Sequence, residues 1–197
     1  MIKKFCLIII GLLISWGQYC YADSEILYPE DDYDTFWFPS TGSDRWAMVD
    51  DPAGSPDDWT TYVYTVTLNA RNAMVFQNTS FTTIDSLYLF VRAACFGGNG
   101  IDTLELGYIL EGETPSWQEI CDVVITTTIT NFTCKLTGEW SQSTVNSRVY
   151  GFAAQTPEEQ QWVTQCYLTV YGEAAPPSGK PRQPIVRDIE DGGGIVR

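Results

Sequence analysis

Leu87-Tyr88-Leu89-Phe90-Val91-Arg92-Ala93-Ala94-Cys95 is the stretch on which the reading of the fold turns. Leu87, Leu89, Val91, Ala93 and Cys95 share one parity, and Tyr88, Phe90 and Arg92 share the other. Successive side chains of a strand point to opposite faces, so this period of two describes a strand with one buried face. The device recurs upstream, where Tyr62, Tyr64, Val66 and Leu68 alternate with Thr61, Val63, Thr65 and Thr67. It recurs downstream at Leu104, Leu106, Tyr108 and Leu110, at Phe132, Cys134 and Leu136, and at Trp162, Thr164, Cys166, Leu168 and Val170. These runs are rich in Thr, Val, Tyr and Ile, which suit a pleated, half-buried surface. Turn chemistry separates them at Gly97-Gly98-Asn99-Gly100, Glu111-Gly112-Glu113, Gly138-Glu139 and Gln155-Thr156-Pro157. No long segment carries a period of 3.6. Thr156–Gln161 is expected to give one helical turn at most, with Thr156 as cap and Glu159 three residues on. The expected architecture is all-β: a two-sheet antiparallel β-sandwich, jelly-roll-like, with a flexible C-terminal tail.

The two ends of the chain read differently from this body. Residues 1–22 have the form of a secretory signal peptide: Lys3 and Lys4, an apolar run from Leu7 to Ile14, and a small Ala22 before Asp23. The run is too short to span a bilayer, which needs roughly 20 apolar residues, and none of that length follows. The expected product is secreted or extracellular, in a periplasm or on a cell surface, with no membrane span after signal removal. Residues 173–197 hold Pro176, Pro177, Pro181, Pro184 and Gly192-Gly193-Gly194. They read as an extended, flexible tail in which Ile185-Val186-Arg187 recurs as Ile195-Val196-Arg197. Such a triplet offers self-assembly by addition to another chain's sheet edge.

Charge and composition exclude several functions. The full chain has 11 Lys+Arg against 25 Asp+Glu. Loss of Lys3 and Lys4 leaves −16, and the whole of it lies in residues 23–172, because the tail has four acids and four bases. Nucleic acid is excluded as an electrostatic partner, since neutralising phosphates requires Lys and Arg. With no His, there is no imidazole base, no Ser-His triad and no His metal ligand.

Four cysteines remain after signal removal: Cys95, Cys121, Cys134 and Cys166. An even number in an exported chain predicts two disulfides. Four cysteines allow three connectivities. Cys121 and Cys134 flank Thr126–Thr128 symmetrically and share parity with apolar neighbours, so a hairpin there would set them opposite each other. That leaves Cys95 to join Cys166.

Trp37-Phe38-Pro39-Ser40-Thr41-Gly42-Ser43-Asp44-Arg45-Trp46-Ala47-Met48-Val49-Asp50-Asp51, followed by Pro56-Asp57-Asp58-Trp59, carries a resemblance. It is similar to the opening of a jelly-roll-like β-sandwich family that recurs in phage and metagenomic virion- or tail-associated proteins and in secreted bacterial surface proteins. The resemblance extends over roughly residues 34–172. It implies a non-catalytic structural or surface module. The signal segment and the cysteines depart from the phage pattern and favour a cell-exported relative.

Three constellations are candidates for chemistry. Asp50, Asp51, Asp57 and Asp58 could offer carboxylates to calcium from one bent loop, although no EF-hand spacing is present. The competing reading is a solvated acidic turn with no cofactor. Glycoside hydrolysis needs two carboxylates about 5–9.5 Å apart, and no flanking motif selects a pair among so many acids. Trp117, after Pro115-Ser116, and Trp140, after Gly138-Glu139, sit at loop–strand junctions and are candidates for stacking on sugar rings. Trp37 and Trp46 belong to the opening motif and are expected in the core. The leading expectation is a non-catalytic secreted structural or adhesion module, not an enzyme, whose partner is an extracellular protein or glycan. The alternative is a carbohydrate-binding module, and a glycan-acting hydrolase comes third. Truncation after Gly172 should leave the thermal midpoint of the sandwich almost unchanged and abolish any self-association. Thermal melts and light scattering on the two lengths check this.

Overall fold

The computed structural model describes residues 23–97, 100–110, 116–155 and 160–175. The expected signal segment, most of the tail and positions 156–159 of the expected helical turn lie outside the described residues. The strands are β1 (Asp23–Leu27), β2 (Pro29–Thr35), β3 (Phe38–Pro39), β4 (Val63–Thr65), β5 (Arg71–Phe76) and β6 (Phe81–Phe96). They continue as β7 (Ile101–Leu110), β8 (Ser116–Thr126), β9 (Thr130–Leu136), β10 (Val149–Ala154) and β11 (Gln160–Ala174). Gln160 and Gln161, assigned to the helical turn by sequence, open β11 instead, and β11 runs two residues past Gly172. No helix among the described residues is long and apolar enough to cross a membrane.

The strands form two antiparallel sheets, as the alternation predicts. The first has the order β3-β4-β11-β6-β9, with β1 also paired to β11; the second has the order β2-β5-β10-β7-β8. β11 is therefore flanked by β6 along one side, and by β4 and then β1 along the other. Leu87, Leu89, Val91, Ala93 and Cys95 of β6 all point inward with no exposure. They meet Leu104, Leu106, Met74, Tyr150 and Phe152 from the second sheet in one core. At about 25 cal/mol per Å² of apolar surface, this burial is the dominant stabilising term.

The opening motif packs as the sequence suggests. Trp37 is fully buried, its ring edge-on to Phe152 at 4.9 Å and its Nε1 donating to Ala70 O at 2.8 Å. Asp32 holds the following turn by accepting from the backbone N–H groups of Arg45 and Trp46 at 2.9 and 2.8 Å. Trp46 is half-buried against the core. One short helix was not anticipated: α1 (Gln142–Ser147), where the Ser141 side chain caps the Thr144 N–H and Val145 is buried.

The cysteines divide. Cys121 and Cys134 form a disulfide with Cα atoms 6.4 Å apart. It is not a bridge across a hairpin. β8 pairs with β7 and β9 pairs with β6, so the turn at 127–129 crosses between sheets and the bond staples one sheet to the other. The expected Cys95–Cys166 bond is not made. Cys166 lies opposite Val91 and Cys95 opposite Gln161. Four residues of extended chain separate them, roughly 13 Å, and a disulfide cannot reach beyond about 7 Å. Both are buried thiols, and burial pushes the Cys166 thiol well above its ordinary pKa. The Cys95 Sγ instead donates to Ile125 O. Non-reducing peptide mapping should recover the Cys121–Cys134 pair and no other. Cys95 and Cys166 should be alkylated only after denaturation.

Candidate functional site

The outer face of the second sheet has one row of minimal side chains at its centre. Gly151 of β10 lies opposite Ala73 of β5 on one side and Gly107 of β7 on the other. These three make one transverse row. A Cβ on Gly151 would collide with the Asn72 carbonyl oxygen and lie 2.8 Å from Ala73 Cα, so β5 and β10 approach at a distance that only glycine allows. On one flank, Val149 and Ile109 are buried beside Ala73, with Val75 and Trp117 packed against them. On the other flank, Ala153 lies between Arg71 and Glu105.

Trp117 of β8 is set opposite Ile109, yet its indole reaches back along β7. Its Cζ2 and Cε2 lie 2.5 and 2.6 Å from where a Gly107 Cβ would stand. Its Nε1 donates to Glu105 Oε1. A ring that meets two successive outward positions of the neighbouring strand must recline over the sheet, with one face down and one face out. Glu105 is buried to 8% exposure, and its second oxygen accepts from Gln155 Nε2. The N–H donors on both oxygens offset the desolvation of this carboxylate. The result is a hollow of about 300 Å³ lined by Asn69, Arg71, Glu105, Trp117 and Ala153. Glu119 and Asp122 of the edge strand stand opposite Gly107 and Glu105. The charges of Asp122 and then Glu105 raise the Glu119 pKa, so this rim repels anions.

The outer face of the first sheet is built differently. Phe38, Tyr64, Tyr62, Trp162, Phe96 and Trp59 form a continuous chain of rings, with Tyr62 stacked on Trp162 at 4.1 Å. Further along, Phe90 stacks on Tyr167 at 4.2 Å and Tyr88 meets Tyr171 edge-on at 5.7 Å. Between the two groups lies an ion pair. Arg92 grips Asp58 with Nε and Nη2 at 2.5 and 2.6 Å, and the Thr164 hydroxyl donates to the same carboxylate at 3.1 Å.

Of the two tryptophans singled out by sequence, Trp117 lines the hollow and Trp140 does not. Trp140 is half-buried and edge-on to Tyr108, and the Arg148 guanidinium sits 4.6 Å from both ring centroids. That cation–π contact occupies it. Of the four aspartates of the calcium reading, Asp50, Asp51 and Asp57 stay within interacting distance and Asp58 is drawn away. Asp58 turns to Arg92, Asp57 accepts from Thr61 through Oδ1, and Asp51 accepts from the Asp57 N–H. Burial raises the pKa of Asp50 and of Asp51, with the Asp57 charge adding to both. Among the described residues no three acidic or cysteine side chains converge on a cation position. Gly107, Glu105, Arg71 and Gln155 were missed by sequence. The available signal was Gly107 breaking an otherwise apolar alternating run.

No protein-family model matches this chain, and no curated protein sequence matches it. Solved structures resemble it at low identity. The CBM22-1 xylan-binding domain of Xyn10C from Paenibacillus barcinonensis is 11% identical with a TM-score of 0.44, covering 78% of this chain and 97% of that one. The family 29 carbohydrate-binding module CBM29_1 from Piromyces equi is 6% identical with a TM-score of 0.38, covering 76% and 91%. A CBM4 structure is 9% identical with a TM-score of 0.33, covering 62% and 93%.

The Asp58–Arg92 pair makes stability depend on pH. Hydrogen bonds from Arg92 hold the Asp58 carboxyl below its usual range, against the opposing effect of burial. A depressed folded-state pKa stabilises above the unfolded value of about 3.9, and the contribution is lost as pH falls through the folded value. Asp58→Asn should therefore lower stability at pH 7 by on the order of 1 kcal/mol, since the pair is partly solvated. The difference should shrink steadily below about pH 4. Urea titrations at several pH values check both the sign and the window.

Proposed function

We propose that this chain is a secreted, non-catalytic carbohydrate-binding module and that the outer face of the second sheet receives the glycan. The observation that carries this reading is Trp117, reclined over Gly107 and anchored through Nε1 to Glu105. An indole fixed with one face outward offers a flat apolar platform of the size of a sugar ring, and its orientation costs no further entropy on binding. Beside it, the Arg71 guanidinium and the Asn69 and Gln155 amides supply donors and acceptors for sugar hydroxyls. The absence of a side chain at Gly107 is what lets the indole lie this close to the sheet.

Glu105 supports binding rather than cleavage. A glycosidase needs a carboxylic acid that gives a proton to the leaving oxygen. Both Glu105 oxygens are already engaged by N–H donors, from Trp117 and Gln155. One indole and a few hydrogen bonds of about 0.5–1.5 kcal/mol each, set against the cost of association, support a Kd of roughly 10 µM to 1 mM.

A second reading, a surface module that contacts protein, is favoured by Phe38 at 53% and Trp59 at 61% exposure on the first sheet. A glycan array followed by calorimetry separates the two. Trp117→Ala should weaken binding of the best glycan at least tenfold, about 1.4 kcal/mol. Trp117→Phe keeps a ring but loses the Glu105 anchor, and should fall between. A blank array, or full affinity in a folded Trp117→Ala protein, would remove this site from consideration.

A further inference from the structure

The first sheet holds a second hollow, on the side of the sandwich away from Trp117. It measures about 460 Å³. Its origin is a pattern of large and small residues along the β6–β11 seam. Ser86 lies opposite Tyr171, Tyr88 opposite Thr169, and Phe90 opposite Tyr167. In two of these three rows a ring faces a short hydroxyl side chain, and the ring changes strand from one row to the next. Space is therefore left over Ser86 and Thr169. The stacked Phe90–Tyr167 pair walls one end and the edge-on Tyr88–Tyr171 pair walls the other. Thr133 of β9 closes the side, opposite Phe90.

The chemistry of the lining is specific. Ser86, Thr133, Thr169 and the phenols of Tyr88, Tyr167 and Tyr171 are hydroxyl donors and acceptors, and the rest is aromatic ring. Burial raises the Tyr167 pKa. None of the lining residues is Asp, Glu, Lys or Arg, although residues 23–172 contain 21 acids. Lys135 stands beside the hollow, its Nζ 5.8 Å from the Tyr88 ring centroid. An uncharged hollow of rings and hydroxyls complements a ligand that has apolar C–H faces, many hydroxyls and no charge.

We propose that this hollow is a second binding site for an uncharged glycan, independent of Trp117, so that one domain holds two glycan chains. The sheets of a sandwich lie about 10 Å apart and the sites face opposite ways. A single chain cannot occupy both without wrapping the domain. The proposal shares its ligand class with the function proposed above, but rests on different residues.

The test is calorimetry on the full mature chain with neutral hexasaccharides of β-linked glucose, xylose, mannose and N-acetylglucosamine, and with oligogalacturonate as the charged control. The expected stoichiometry is two for the best neutral probe, falling to one in Trp117→Ala and to one in Tyr88→Ala. Thr169→Lys fills the hollow without removing a ring and should reproduce Tyr88→Ala if that variant folds poorly. The intact chain should also crosslink and precipitate the matching polymer, and each single-face variant should lose this. Loss of all binding in Trp117→Ala, a preference for oligogalacturonate in the Tyr88 hollow, or binding that appears only when residues 176–197 are removed would overturn the proposal. A stoichiometry of one in the intact chain, unchanged in Trp117→Ala and abolished by Thr169→Lys alone, would uphold the Tyr88 hollow as a glycan site while refuting the Trp117 site.

Discussion

The pairing of β6 with β11 is the constraint on which the rest of this structure depends. The two longest strands run antiparallel from Phe81–Ala174 at one end to Phe96–Gln160 at the other. A one-residue slip in that register would turn Leu87, Leu89 and Val91 to solvent and bring Tyr88, Phe90 and Arg92 into the core. The ladder also seats β1 and β4 along the free side of β11, and β9 along the free side of β6. Two irregularities adjust it. The shift between Val163 and Gln165 frees Thr164 to reach Asp58, and the shift at Gly172 falls where any Cβ would meet the Thr83 carbonyl oxygen.

The second sheet is coupled to this spine by covalent and polar links as well as by the core. The Cys121–Cys134 bond joins β8 to β9 across the sandwich. Gln161 of β11 donates to Thr103 O of β7 at 3.1 Å, and Trp37 bridges the opening loop to Ala70 O. These links hold the two outer faces at fixed separation and orientation. The disulfide adds to this mainly by limiting the unfolded chain, with a short loop between its ends.

The two faces use the same aromatic chemistry in opposite ways. On the first sheet the rings stand in cross-strand pairs and cover one another, which stabilises the sheet, and a hollow opens where Ser86 and Thr169 interrupt them. On the second sheet a single indole reclines over glycine. Acidic side chains stand at the second-sheet hollow, where Glu105 holds Trp117, and are absent from the lining of the first-sheet hollow. Eleven of the 21 acids precede Trp59, and several serve as local caps: Asp32 for the Arg45–Trp46 turn and Asp57 for Thr61. That use explains why a run of carboxylates legible in the sequence did not assemble a cation site among the described residues.

The sequence by itself determined the fold class and the identity of the core face, because alternation over Leu87–Cys95 and Leu104–Leu110 maps directly onto inward and outward positions. It also made Cys121 and Cys134 partners, and it marked Trp117 as a residue at a loop–strand junction. It did not reveal β5 or β10. Val149-Tyr150-Gly151-Phe152-Ala153-Ala154 is buried at every position and contains Gly and Ala, so it shows neither alternation nor strong strand propensity. Of these positions Ala153 lines the hollow beside Trp117, and the small residues that leave room there are the ones that hid the strand. The Cys95–Cys166 pairing failed for a related reason. Parity places both thiols on the inner face, but only the β6–β11 register decides that four residues lie between them. Which side chains share a row across strands is a property of pairing between distant segments, and no local pattern encodes it.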